Sequence, residues 1–288
     1  MADLPDNALR LRERISPCRL CPRQCGVDRA AGEVGACRIG AEAVVASAGP
    51  HFGEEPVLVG RGGSGTIFLS GCNLDCVFCQ NADISHVSDG QRMQPGRIAS
   101  LALALEARGC ENVNFVTPTH VSHAIAEAIL AARAAGLTVP VVYNCGGYES
   151  VETLGLLEGL VEIYMPDFKY ADAQAGATYS GVSDYPEVAT AALGEMHRQV
   201  GPLETDPRGL AVRGVLVRHL VLPGDLARSR SAIETIARTA PGCALNVMAQ
   251  YRPCFRAGQF PKLQQRPDPQ AVHSLRQLAS SLGLQRPD

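Results

Sequence analysis

The chain has 288 residues, 46% of them hydrophobic and 19% charged, enough length and apolar content for one sizeable core in a single α/β domain or two. A formal charge of −3 gives no overall electrostatic basis for binding nucleic acid, and the seven arginines among the first forty residues share that stretch with five acids, as on a solvated surface. The opening MADLPDNALRLRERISPC has no apolar run behind its charges, and no later segment approaches the roughly 20 apolar residues of a membrane span, so a cytoplasmic protein without a membrane partner is expected.

Residues 1–60 are rich in Cys, Arg and Gly with few long periodic segments, and are expected to form an N-terminal extension ahead of a main domain at 61–288. Within it, Cys18, Cys21, Cys25 and Cys37 are spaced C-x2-C-x3-C-x11-C. Four thiolates satisfy either a closed tetrahedral Zn²⁺ site or a fully ligated iron–sulfur cluster, and the spacing does not separate the two. Either would staple residues 15–40, whose own core is thin. The run GRGGSG at 60–65 lacks the Lys-Ser/Thr ending of a phosphate-binding loop and is read as a connection.

From about residue 66, apolar strand-like runs alternate with Ala/Leu-rich helical patterns. Strands are predicted at 66–70, 112–117, 139–144, 161–167, 214–222 and 244–249, with helices near 97–109, 121–135, 149–159, 186–200 and 225–239. Six β/α units joined by right-handed crossovers form either an open doubly wound sheet or an incomplete barrel. A final amphipathic segment at 269–284, introduced by Asp268 and Pro269, has the start signals of a helix.

In such architectures functional groups collect where strands run into the following loops. The residues there are polar at every strand: Cys72, Cys76 and Cys79; Thr117, Thr119 and His120; Asn144 and Cys145; Asp167 and Lys169; Arg218 and His219; Gln250 and Tyr251. Six such ends in succession point to a shared site. Cys110 and Cys243 stand alone and read as buried structural thiols.

Eleven cysteines in a reducing cytosol indicate metal binding or catalysis, because disulfides are disfavoured there. The segment TIFLSGCNLDCVFCQN places Cys72, Cys76 and Cys79 as C-x3-C-x2-C directly after a strand. Three thiolates on a cubane [4Fe–4S] cluster leave one iron open to a small molecule, which signals chemistry. Zinc with a fourth ligand such as His120, or three reduced core thiols, are the alternatives; Cys72 lacks the paired cysteine usual in zinc motifs.

This loop, with Phe78 before its last cysteine, resembles the radical S-adenosylmethionine superfamily, over roughly residues 64–255. Through PHFGEEP, SGCNLDCVFCQN, VTPTH, PDFKYAD, VRHLVLPG and MAQYRP the chain is similar to the pyruvate formate-lyase-activating-enzyme-like group. The resemblance implies a partial (β/α)6 barrel with the Cys-rich metal-binding extension ahead of it. It also implies reductive cleavage of S-adenosylmethionine at the cluster to a 5′-deoxyadenosyl radical that abstracts hydrogen from substrate. An electron donor such as flavodoxin or ferredoxin is implied as partner, with a protein, receiving a glycyl radical, as one candidate substrate.

By the same resemblance, Thr117 and Thr119 stand where the family has a Gly-Gly-Glu turn on the methionyl amino group, and Phe78 borders the cofactor. His120 would contact substrate or cap the helix after it. Asp167 and Lys169 match the activating enzymes' Asp-x-Lys beside the cofactor, with Asn144, Cys145 and Met165 completing a cation site in which Asn144 replaces the usual aspartate. Arg218 corresponds to the arginine that approaches the cofactor carboxylate, a bidentate task that suits guanidinium. Gln250 and Tyr251 occupy the place of a cofactor-facing histidine. The rival expectation is a non-catalytic iron–sulfur or zinc protein serving electron transfer or assembly.

Overall fold

A computed structural model describes residues 4–87 and 89–287, so the outermost ends of the two expected regions, 1–3 and 288, lie outside the described residues. The chain is a mixed α/β protein built on one mostly parallel sheet of nine strands among the described residues. Helix α1 (Leu4–Glu13) precedes β1 (Ala43–His51), α2 (Pro56–Val59), β2 (Ser64–Leu69), α3 (Ala82–Ser85) and β3 (Gln91–Met93). Then follow α4 (Pro95–Ala107), β4 (Asn112–Val116), α5 (Ser122–Ala134), β5 (Val141–Cys145), α6 (Val151–Leu156), β6 (Ile163–Pro166), α7 (Ala173–Ser180) and α8 (Tyr185–Val200). The chain closes with β7 (Glu204–Thr205), β8 (Ala211–Leu220), α9 (Ser229–Thr239), β9 (Ala244–Met248) and α10 (Pro269–Ser281).

The six predicted strands are β2, β4, β5, β6, β8 and β9, and they pair in that order, all parallel. β1 and β3 extend the sheet antiparallel at the β2 side, β7 pairs antiparallel with β8, and the sheet does not close. Strand alternation sorts side chains between two apolar clusters. Tyr143, Tyr164, Val215 and Val217 face a large core shared with the helices, while Val142, Ile163, Met165 and Leu216 face a smaller one with Val57 and Leu58 of α2. Successive helices pack on one another, α4 on α5, α6 on α8 and α8 on α9, which covers the first face. Burying each Leu, Ile, Val or Phe side chain in such a core contributes about 1.5–3 kcal/mol.

Several elements depart from the expected pattern, three of them for identifiable reasons. β1 reads AVVASAGPH, poor in β-formers and containing Pro50, yet it pairs with β2 from Val45 to His51. Proline is tolerated there because β3 covers only Ala43–Val45, leaving the outer edge beyond it without a strand neighbour. Consequently the boundary at residue 60 divides a strand from the sheet it belongs to. Helix α7, absent from the prediction, carries ordinary stop and start signals: Asp172 accepts from the Ala175 amide and Gly181 ends it in a left-handed conformation. Helix α9 starts at Ser229 rather than near 225, because Gly224, Asp225 and Arg228 all adopt positive φ.

Candidate functional site

At the ends of the parallel strands lies a cavity of about 410 Å³. Cys72, Cys76 and Cys79 line it together with Phe78, Thr117 and Asn144; from the far side come Asp167, Lys169, Arg218 and Gln250. These ten residues, drawn from six strand ends, are therefore brought together as the polar pattern indicated. Period-2 alternation explains the convergence: Asn144 and Arg218 follow Val142 and Leu216 on the same face, so the apolar floor becomes polar one residue pair further along.

The cysteine loop is held from several sides. Gly71, at φ +82°, leads out of β2 where a Cβ would lie 2.5 Å from Ile39 and 2.6 Å from the Cys37 carbonyl oxygen, so only glycine fits this turn. Asn73 donates to the Tyr148 carbonyl at 2.7 Å, and the Asp75 and Val77 amides bond to the Ser180 and Tyr179 carbonyls. Two hydroxyls stand at the thiols: Ser180 Oγ is 3.0 Å from Cys76 Sγ, and Ser85 Oγ is 3.2 Å from Cys79 Sγ. Burial pushes the Cys72 and Cys76 thiols up, and for Cys72 the neighbouring sulfurs of Cys76 and Cys79 add to it. Among the described residues, no three His, Cys, Asp or Glu side chains converge on a point suited to a single metal ion.

Opposite the thiols, Arg218 connects three acceptors: Nη2 donates to Asn144 Oδ1 at 2.6 Å, Nε to Asp167 Oδ1 at 3.3 Å and Nη1 to Glu54 Oε2 at 3.2 Å. Lys169 Nζ donates to the other oxygen of Asp167 at 2.6 Å. Burial opposes ionisation of Asp167, but Lys169 and Arg218 together hold its carboxyl below the usual range, while burial raises Glu54 against the attraction of Arg218. The cavity thus presents two cations, two carboxylates and three thiols. Thr117 adds a strained backbone, with φ +64° at a β-branched residue; such strain persists where surrounding structure enforces it and is concentrated at functional sites.

Several expected site residues lie elsewhere. Thr119 donates to Glu149 at 2.6 Å, and His120 Nε2 donates to the Ser70 carbonyl at 2.7 Å; both are buried behind the loop and neither lines the cavity. The short turn Pro118–Val121 rotates them inward, so His120 does not line the cavity and does not cap α5, whose N-terminus has no side-chain cap. Burial lowers its imidazole to about 3, which keeps it neutral. His219 is also internal, bonded to the Phe168 carbonyl and Ser229, and Tyr251 turns its hydroxyl to the Leu263 carbonyl. Cys110 and Cys243 are buried, as expected of structural thiols. The place of the expected cation between Asn144 and Asp167 is held by the Arg218 guanidinium, and Met165 belongs to the apolar cluster beneath.

Sequence reasoning also passed over Glu54, Ser180 and Glu149. Glu54 carries a visible signal in the HFGEEP turn, whereas Ser180 lies 104 residues from the cysteine it touches and has none. Glu149 is buried, accepts from Thr119 and from Tyr143 at 3.3 Å, and burial raises its carboxyl to about 8. Its folded value lies above the unfolded one, so its stabilising effect is complete below about 4.5 and is lost as pH rises towards 8. Glu149→Gln, an imitation of the neutral acid, should flatten the fall in stability between those pH values in urea titrations; an unchanged slope would refute this assignment.

The uncharacterized protein MJ0674 of Methanocaldococcus jannaschii is 31% identical to this chain over 274 residues, covering 93% of the chain and 75% of the archaeal protein. The chain belongs to the MJ0674 family. No family model matches it. The MJ0674 relationship leaves 7% of the chain uncovered. Among the described residues of this MJ0674 family member, no helix is long and apolar enough to cross a membrane.

Proposed function

We propose that this protein is a radical S-adenosylmethionine enzyme, with a [4Fe–4S] cluster on Cys72, Cys76 and Cys79, on a partial (β/α)6 barrel. The observation that carries this reading is the cavity itself, with three thiols facing Asn144, Asp167, Lys169 and Arg218. The donor set fits the cluster. Each thiolate of a cubane binds a different iron, so three thiols on one short loop suit it without converging on a point. The Ser180 and Ser85 hydroxyls are within hydrogen-bond reach of two sulfurs, a contact that tunes cluster potential.

When bound, the cluster with its open iron supplies reductive cleavage of the sulfonium, giving a 5′-deoxyadenosyl radical that removes hydrogen from substrate. The chain's own residues bind and orient. Arg218 is suited to the amino-acid carboxylate of S-adenosylmethionine, and Asp167 or Glu54 to its ammonium group, in exchange for the ion pairs that these residues now make with one another. Phe78, packed edge-on against Tyr170 and Tyr251, gives the cavity an apolar border. The one-electron donor is a low-potential carrier of the flavodoxin or ferredoxin class, and the hydrogen donor is open to protein and small-molecule candidates.

The test is anaerobic reconstitution with iron and sulfide, reduction, and addition of S-adenosylmethionine. 5′-Deoxyadenosine and methionine should form in equal amounts, and the electron paramagnetic resonance of the reduced cluster should change on binding. A reduced cluster whose signal ignores S-adenosylmethionine, with no cleavage, would leave electron transfer without catalysis as the function.

A further inference from the structure

The N-terminal segment holds a buried cation with no counter-charge among the described residues. Arg29 is 1% exposed and makes no ion pair among the described residues. Its guanidinium donates only to neutral groups: Nε to the Gly40 carbonyl at 2.9 Å, Nη2 to the same oxygen, Nη1 to the His120 carbonyl at 2.7 Å and to Cys18 Sγ at 3.8 Å. Guanidinium does not give up its proton in proteins, and a buried charge without a partner is strongly unfavourable. The nearby imidazoles of His120 and His123 are themselves buried and lend no negative charge.

The sulfur that Arg29 touches, that of Cys18, belongs to the set of four spaced cysteines. Cys18, Cys21 and Cys37 are buried and Cys25 is partly so. Cys25 Sγ accepts from the Ala36 amide at 3.4 Å and is enclosed by Gly35, where a Cβ would approach the sulfur to 2.9 Å.

We propose that Cys18, Cys21, Cys25 and Cys37 hold a fully ligated [4Fe–4S] cluster, with Arg29 as its buried counter-ion. Four thiolates on an oxidised cubane carry a net charge of about −2, which balances the guanidinium in a way that neutral thiols do not. A four-thiolate zinc site carries the same charge, and metal counts separate the two. The segment is also fastened to the Cys72 loop: Arg23 donates to the Asn73 carbonyl at 2.8 Å, Arg38 pairs with Asp75 at 3.4 Å, and the Cys37 carbonyl abuts Gly71. The two metal centres are therefore neighbours. This inference does not rest on the reading of Cys72, Cys76 and Cys79.

Iron, sulfide and zinc are counted in the anaerobically reconstituted full chain and in its Cys72→Ala/Cys76→Ala/Cys79→Ala variant. About eight irons in the wild type and four in the variant are expected if both centres form. Four in each would support the N-terminal cluster while refuting the cavity cluster. Four in the wild type and none in the variant, no iron in either, or one zinc without iron in the variant, would overturn the inference. In that triple variant, Arg29→Met should lower the cluster's midpoint potential or its iron content, because a positive charge near it is removed, and Arg29→Lys should preserve both. Equal behaviour of the two Arg29 variants would overturn the counter-ion assignment.

Discussion

Cys76→Ala is expected to abolish S-adenosylmethionine cleavage and to remove iron from the cavity, while the chain still folds. Cys76 lies between α7 and the strand ends, with Ser180 at its sulfur and Tyr170 hydroxyl 2.9 Å from Ser180. Loss of one thiolate from three leaves a cubane with two protein ligands, too few to hold it firmly. Alanine removes only a sulfur, and the loop retains its amide bonds to Ser180 and Tyr179, so the far-ultraviolet spectrum and the unfolding midpoint should remain close to those of the metal-free wild type. Ser180→Ala provides the graded comparison: all three ligands remain, and iron affinity should fall by about 10–100-fold, the usual effect of losing an outer-shell partner. Full cleavage activity in Cys76→Ala would end the cluster assignment.

The second large effect is expected at Arg218. Its guanidinium is the common partner of Glu54, Asp167 and Asn144, and the side chains of Arg218, Glu54 and Asp167 are 18%, 8% and 21% exposed, so solvent replaces little of what is lost. Arg218→Leu leaves Glu54 without its cation and Asp167 with Lys169 alone. Removing one partner of a buried pair typically costs about 3–5 kcal/mol, discounted here towards the lower figure because Lys169 remains. Arg218→Lys keeps the charge but cannot reach three separated acceptors with a planar fork, and should recover stability better than binding. Urea unfolding reports the first quantity, and equilibrium binding of S-adenosylmethionine to the reconstituted protein reports the second. Unchanged binding in Arg218→Leu would exclude Arg218 from the cofactor site.

The sequence by itself determined the six parallel strands and most of the cavity wall, while leaving open whether the strands follow the order of a doubly wound sheet or of an incomplete barrel. Period-2 apolar runs and Ala/Leu-rich helical runs report burial directly, and six such units in succession leave few ways to pair. Polar residues towards the strand ends were legible for the same reason: Cys72 and Asp167 lie just past their strands, and Asn144 and Arg218 in the last residues of theirs, so they reached the cavity as a set. His120 and Thr119 satisfied that rule equally well and failed, because a short helical turn redirects both into the interior, and turn geometry has no periodic signature.

Only the tertiary structure decided which polar groups pair. Arg218 with Glu54, Ser180 with Cys76 and Asn246 with Glu55 join residues 164, 104 and 191 positions apart, and side-chain pairing at such separations leaves no trace in local pattern. The same holds for β1, whose weak strand propensity is overridden by its pairing with β2. Burial of Arg29 could not be foreseen either, since an arginine in a charged, Arg-rich segment reads as solvated until the chain packs around it. Local order follows from neighbours in sequence; charge balance follows from neighbours in space.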